Sequence, residues 1–180
     1  MLVLSEILLQ RTRAETVGRF IDGFVSKHGS WSDLAGSSLE ELENDLKPLG
    51  LWRRRAESLY GFACSLADLG YLFPSHRADI EKLPAVGQYV ANAIELFHHG
   101  KPRPLLDVNM ARVLERYFRP RLLSDIRYDP WLQEISSKLV ENGDPVKINW
   151  AVLDVAAIHC KKDVPKCAGC PLSLGCAYHP

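Results

Sequence analysis

Residues 83–94 read LPAVGQYVANAI. Pro84 and Gly87 punctuate a stretch too short for anything but a hairpin between two helices, and residues 88–98 that follow carry apolar side chains at helical spacing. A helix that opens at Gly87 starts with backbone N–H groups that have no intrahelical acceptor. Together with the helix dipole they suit a phosphate oxygen, and such a contact needs no net positive charge. The simpler reading of residues 83–87 is a plain helix–helix connection.

The chain around this hairpin is also helical in pattern. Residues 2–28 place Leu4, Ile7, Leu8, Val17, Phe20, Ile21 and Phe24 at helix-like intervals, and Gly29 fits the end of that run. Ser38 with Glu41 three residues later reads as a capping box for a short helix to Leu46, before Pro48 and Gly50 break the chain. A long helix follows over 52–69, and a short one closes at 80–82. Further helices are expected over 108–118, 130–141 and 146–158. No stretch alternates with a two-residue period, so the expected fold class is all-α with little or no sheet. Gly100, Pro102 and Pro104 cluster in one linker, which divides the chain into units of 1–100 and 101–180.

The composition agrees with a folded chain. It has 180 residues, 47% hydrophobic and 24% charged, with 22 basic and 22 acidic residues and no net charge. That balance weakens any scheme in which nucleic acid is held by a bulk positive field alone. The charge is uneven: residues 1–100 carry net −3 and residues 101–180 net +3. No apolar run approaches the roughly 20 residues that span a bilayer, so no membrane partner is expected. The opening MLVLSEILLQ lacks a basic segment and carries Glu6 inside its apolar stretch, unlike a secretory signal, so a cytosolic protein is expected.

Four of the five cysteines fall in the last 21 residues, as Cys160, Cys167, Cys170 and Cys176. Clustered cysteines in a cytosolic chain point to metal or catalysis and not to disulfides. The spacing C-x6-C-x2-C-x5-C suits either a tetrahedral zinc or an iron–sulfur cluster, with Pro165 and Pro171 stiffening the loops. Cys64 lies on the expected 52–69 helix and reads as a core residue.

Taken together, these motifs resemble the helix-hairpin-helix DNA glycosylases of the endonuclease III superfamily. LPAVGQYVANAI is similar to the family's hairpin, LDVNMARVLER at 106–116 to the segment with its catalytic aspartate, and the cysteine spacing to its [4Fe–4S] loop. The resemblance runs from about residue 3 to 178 and implies two helical lobes with double-stranded DNA in the cleft between them. It further implies a monomer working on the nucleoid of a bacterial or archaeal cell.

The resemblance also assigns roles. Asp107 takes the place of the catalytic aspartate, and Asn109 that of an asparagine assisting it. A fixed carboxylate is suited to the positive charge that builds on a sugar as an N-glycosidic bond breaks. Read alone, Asp107 is equally a cap on the helix that follows, and Asn109 a polar first-turn residue. Family members that also cut the backbone place a lysine two residues after the hairpin's last glycine, as the amine that forms a Schiff base. Here that residue is Tyr89, and a phenol forms no imine; Lys82 precedes the turn. The resemblance therefore implies a monofunctional glycosylase.

SEILLQRT at 5–12 resembles the mismatch-excising branch, where the glutamate acts as general acid at the target base. Glu6 sits among Leu4, Ile7 and Leu8, where partial burial favours its protonated form; on its own it reads as a residue of a solvated helix face. Gln10 and Leu51 stand where the family inserts wedge residues into the gap left by a flipped base. Trp52 suits base stacking or core packing, and Arg53 to Arg55 suit phosphates, although three successive helix residues cannot all face DNA. Pro84, Ala85, Val86, Gly87 and Gln88 form the phosphate-gripping turn, with Ala85 in place of the usual glycine.

Tyrosine at position 89 occurs in both the thymine-mismatch and the MutY-type adenine glycosylases. GLWRRRAESL at 50–59 looks closer to the thymine branch, and the four residues after Cys176 leave no room for the adenine branch's extra domain. The expected substrate is thymine or uracil opposite guanine. The alternatives are adenine opposite guanine or 8-oxoguanine, a DNA-binding module that has lost catalysis, and a zinc-stabilised scaffold unrelated to DNA.

Overall fold

The apolar spacing over residues 2–28 forms two helices and not one. In the computed structural model, which describes residues 2–121 and 125–179, helix α1 spans Leu2–Leu9 and α2 spans Ala14–Lys27. Between them Arg11 takes φ 58°, and the amides of Gln10 and Thr12 turn back onto the carbonyls of Ile7 and Leu9. The break is hard to read from the pattern because α1 has almost no polar face: Val3, Leu4, Glu6, Ile7 and Leu8 are all buried.

Helix α3, Trp31–Gly36, is one that the apolar pattern does not announce. It is short and rests on a reciprocal cap: Ser30 Oγ accepts from the Asp33 amide while Asp33 accepts from the Ser30 amide. Ser38 caps α4, Leu39–Leu46, through the Glu41 amide alone. A 3-10 turn at Lys47–Leu49 leads to Gly50 at φ 69° and to Leu51, left-handed at φ 49°. Helix α5, Trp52–Asp68, follows, then α6, Arg77–Ile80, and α7, Gln88–Phe97.

Helices α8 (Val108–Phe118), α9 (Pro130–Glu141) and α10 (Pro145–Ile158) come next, each capped by an aspartate: Asp107, Asp129 and Asp144. For α9 and α10 the aspartate is followed by proline at the first helical position, a strong start signal. Two 3-10 turns, Cys167–Gly169 and Ser173–Gly175, finish the chain, and the described residues contain no strand.

The chain divides into two compact units, Met1–His99 and Gly100–Pro180. In the first, α5 packs against α3 and α4, and α1 against α7. Phe62, Leu59 and Leu66 of α5 are fully buried beside Leu4, Leu8, Leu34, Leu42 and Leu46. Truncating such a side chain to alanine typically costs about 2–5 kcal/mol.

In the second unit, Leu106, Met110, Ala111 and Leu114 form a core with Leu132. Arg121 bridges Glu115 and Asp129 at 2.8 and 2.7 Å, tying α8 to α9. Asn149, fully buried on α10, accepts from the Leu105 amide at 2.6 Å and donates to the Arg103 carbonyl at 3.0 Å. That pair fixes the extended stretch leading into Asp107.

Candidate active site

The hairpin is as the sequence reading describes. Pro84 lies over Gly61 of α5, Val86 packs on the core, and the Val86 amide turns back to the Leu83 carbonyl. Gly87 is the N-cap of α7 and has no side chain of its own to cap that end. Ala85 sits at φ 62°, so a position suited to glycine is held by alanine, at roughly 1–2 kcal/mol of local strain. Arg77 pins the hairpin from α6: it donates to Asn92 at 2.6 Å, to the fully buried Glu95 at 2.9 Å and to the Gln88 carbonyl at 3.3 Å. Lys82 is exposed and pairs with Asp79 at 2.7 Å.

The contact of α1 with α7 brings together two residues named from the sequence. The Tyr89 hydroxyl donates to Oε2 of Glu6 at 2.7 Å, and Glu6 is only 8% exposed. Glu6 is thus not on a solvated face. Gln10 and Leu51 are both exposed, each beside a non-glycine residue in, or itself in, the left-handed region. Trp52 packs against the core with the Arg53 guanidinium 4.3 Å from its ring centroid, which favours its packing role over base stacking. Of the three consecutive arginines, Arg53 and Arg54 are exposed and Arg55 is buried.

In the second unit Asp107 is both a cap and a presented carboxylate. Its Oδ1 accepts from the amides of Asn109 and Met110 at 2.9 and 2.8 Å, and its Oδ2 accepts from Asn109 Nδ2 at 2.6 Å. Three donors fix the group at the N-terminus of α8, where the dipole favours an anion. Asn109 is oriented in turn by Arg112, whose Nη1 donates to its Oδ1 at 3.1 Å while Nε donates to the Cys160 carbonyl at 2.8 Å. Sequence reasoning missed Arg112, although its place three residues after Asn109 puts both on one helix face.

The cysteine loop is wrapped on the C-terminal end of α8. Arg116 donates to the carbonyls of Lys161 and Lys162 at 2.7 and 2.8 Å and lies 4.7 Å from the Tyr178 ring. The amides of Ala177 and Tyr178 return to the carbonyls of Tyr117 and Arg116. Cys160, Cys167, Cys170 and Cys176 line a single pocket together with Arg116, His159 and Tyr178. Among the described residues, the one trio of such donor atoms within 4.8 Å of one another is His28, Glu41 and Asp45, so no three of these sulfurs are that close. A single tetrahedral zinc holds its sulfurs about 3.8 Å apart, given Zn–S near 2.3 Å. The wider set fits a multi-iron group better. Cys64 lies in the other unit, on α5, and hydrogen-bonds Tyr60, which with burial raises the Tyr60 phenol above its ordinary value.

A hairpin that presents a helix start at Gly87, followed by a carboxylate fixed at the head of the next unit, is the arrangement of a helix-hairpin-helix protein. Residues 4–125 match the family model described as HhH-GPD superfamily base excision DNA repair protein. The chain belongs to that superfamily. It is 33% identical over 180 residues to the thymine/uracil-DNA glycosylase of Methanothermobacter thermautotrophicus, covering 99% of this chain and 81% of the relative. It is 32% identical to the adenine DNA glycosylase of Buchnera aphidicola subsp. Baizongia pistaciae, covering 96% of this chain and 49% of that one. A solved structure of a thermostable thymine-DNA glycosylase superimposes with a TM-score of 0.88 at 33% identity, covering 99% of this chain and 82% of that one. No helix among the described residues is long and apolar enough to cross a membrane.

Proposed function

We propose that the protein is a monofunctional DNA glycosylase that removes thymine or uracil mispaired with guanine in double-stranded DNA. The observation that carries this reading is the 2.7 Å bond from the Tyr89 hydroxyl to the buried Glu6 carboxyl. It sets a carboxyl and a hydroxyl side by side at the start of α7, and a phenol at position 89 forms no imine.

The target nucleotide leaves the stack at a cost of a few kcal/mol, least for a mismatch. The hairpin at residues 84–88 grips a backbone phosphate, and Gln10 and Leu51 fill the space the base vacates. Glu6, with Tyr89, contacts the base and supplies the proton it carries away with the electron pair of the broken C–N bond. Asp107, fixed by its three donors, stabilises the cationic sugar and guides the water that adds to the anomeric carbon. Because the donors are in place beforehand, little reorganisation is needed as charge develops.

The four cysteines hold a [4Fe–4S] cluster in this reading. When bound, the cluster would supply a covalent cross-link between Cys160, just past the end of α10, and the C-terminal loop, and it would take no part in hydrolysis. The protein works as a monomer on the nucleoid.

Single-turnover cleavage on duplexes holding T:G, U:G, A:G and A opposite 8-oxoguanine, each with and without hot alkali, tests the reading. Alkali-dependent cleavage at T:G or U:G is expected. Cleavage only at adenine moves the protein to the adenine branch, and tight binding without cleavage makes it a binding module. Strand scission without alkali overturns the monofunctional claim.

A further inference from the structure

Arg55 is 8% exposed, yet among the described residues it forms no ion pair. Its guanidinium is spent on neutral acceptors at the end of α1. Nη1 donates to the Leu8 carbonyl at 3.1 Å and the Ile7 carbonyl at 3.4 Å, and Nη2 to the Gln10 carbonyl at 3.1 Å and Thr12 Oγ1 at 2.8 Å. Its backbone N–H donates to the Leu51 carbonyl at 3.0 Å. Nε is buried without a partner, and burial lowers the guanidinium below its ordinary value.

A buried cation answered only by carbonyls and a hydroxyl is a costly way to join two helices, and an apolar contact would do that more cheaply. What the planar fork adds is geometry, because its donors leave in fixed directions. The fork thus roots the turn holding Gln10 beside left-handed Arg11, and it does so from the first turn of the helix that left-handed Leu51, itself 60% exposed, caps. Strained non-glycine residues persist where surrounding structure over-determines them.

We infer that Arg55 is a positioning residue that locks the Gln10 and Leu51 turns into one rigid probe, so that the two side chains enter the DNA together when a base is extruded. The inference rests on the proposed reading of Gln10 and Leu51 as wedge residues. Arg55 itself touches no DNA.

The test uses Arg55→Lys, which keeps the charge and loses the fork, and Thr12→Val, which removes one acceptor and guards against a misfolded first variant. Extrusion is read by the fluorescence of 2-aminopurine placed next to a mismatched thymine, a signal that needs no cleavage. Cleavage is read on that duplex and on one carrying the same thymine as a single-base bulge, where little extrusion is required. Arg55→Lys is expected to slow extrusion and duplex cleavage about tenfold and bulge cleavage less than about twofold, with Thr12→Val smaller in the same direction. In a Gln10→Ala, Leu51→Ala background, Arg55→Lys is expected to add little further loss. Equal slowing on both substrates, or on neither, overturns the inference. If Gln10→Ala and Leu51→Ala show the duplex-selective defect and Arg55→Lys does not, only the role of Arg55 fails. If those two variants show no such defect, the wedge reading falls and this inference with it.

Discussion

Tyr89 and Glu6, 83 residues apart in the chain, share a 2.7 Å hydrogen bond because α7 packs on α1. The phenol holds the carboxyl that the proposed reaction needs as its acid. Glu6→Gln keeps the size and the Tyr89 contact but supplies no proton, and it is expected to slow base release about 10²- to 10⁴-fold in single-turnover assays. Tyr89→Lys puts an amine at this position. It is expected to yield strand scission without alkali and a borohydride-trapped adduct, both absent from the parent.

Asp107 caps α8 and, in the proposed reaction, stabilises the cationic sugar, and substitution can separate the two. Asn is as good an N-cap as Asp, so Asp107→Asn is expected to keep thermal stability near that of the parent while base release drops about 10²- to 10³-fold. Asp107→Ala loses the cap as well, and chemical denaturation is expected to show an additional destabilisation of about 1 kcal/mol.

Ala85 is strained at φ 62°. Ala85→Gly relieves that strain but gives the unfolded chain more freedom. The net expectation is stabilisation by about 0.5–1 kcal/mol, measured by urea unfolding, with tighter binding to undamaged duplex DNA as the turn seats on a phosphate.

The cysteine loop gives a prediction about metal. The purified protein is expected to be brown and to contain iron and acid-labile sulfide in equal amounts, with no stoichiometric zinc. Cys170→Ser is expected to lose the colour and to lower the melting temperature, because the loop then loses its covalent tie to Cys160, just past the end of α10. Stoichiometric zinc in a colourless protein would sink the cluster reading.

Asp45 contributes to acid stability. Burial pushes its carboxyl up, but hydrogen bonds from His28 and Lys27, both 2.8 Å, outweigh that and hold it below the ordinary 3.8. The folded value is the lower one, so this contribution is complete above the ordinary carboxylate range and is lost as pH falls through the depressed value. Stability measured against pH is expected to fall on that acid side, and Asp45→Asn is expected to flatten the fall.

Sequence made the hairpin, the helices over 108–118, 130–141 and 146–158 and the cysteine set legible because each depends on local residues, while the Asp-Pro pairs at 129–130 and 144–145 that start two of those helices went unread. The break between α1 and α2 was hidden, since a largely buried helix has almost no polar face to mark its end. Short α3 was hidden too, as its cap is clear only once Ser30 and Asp33 are seen to bond each other. Arg55, and Arg112 in its bond to the Cys160 carbonyl, reach acceptors 43 or more residues away, and no spacing rule brings such partners together.

Asp107 anchors a helix with the same oxygen atoms that the proposed reaction would use, and asparagine satisfies the first task alone. A cell carrying that change would make a protein its proteases have no reason to remove. Such a molecule would still find mismatches and sit on them, shielding the error from any other repair route. The harm would come from occupancy, growing with the amount of protein, and would be worse than deleting the gene outright.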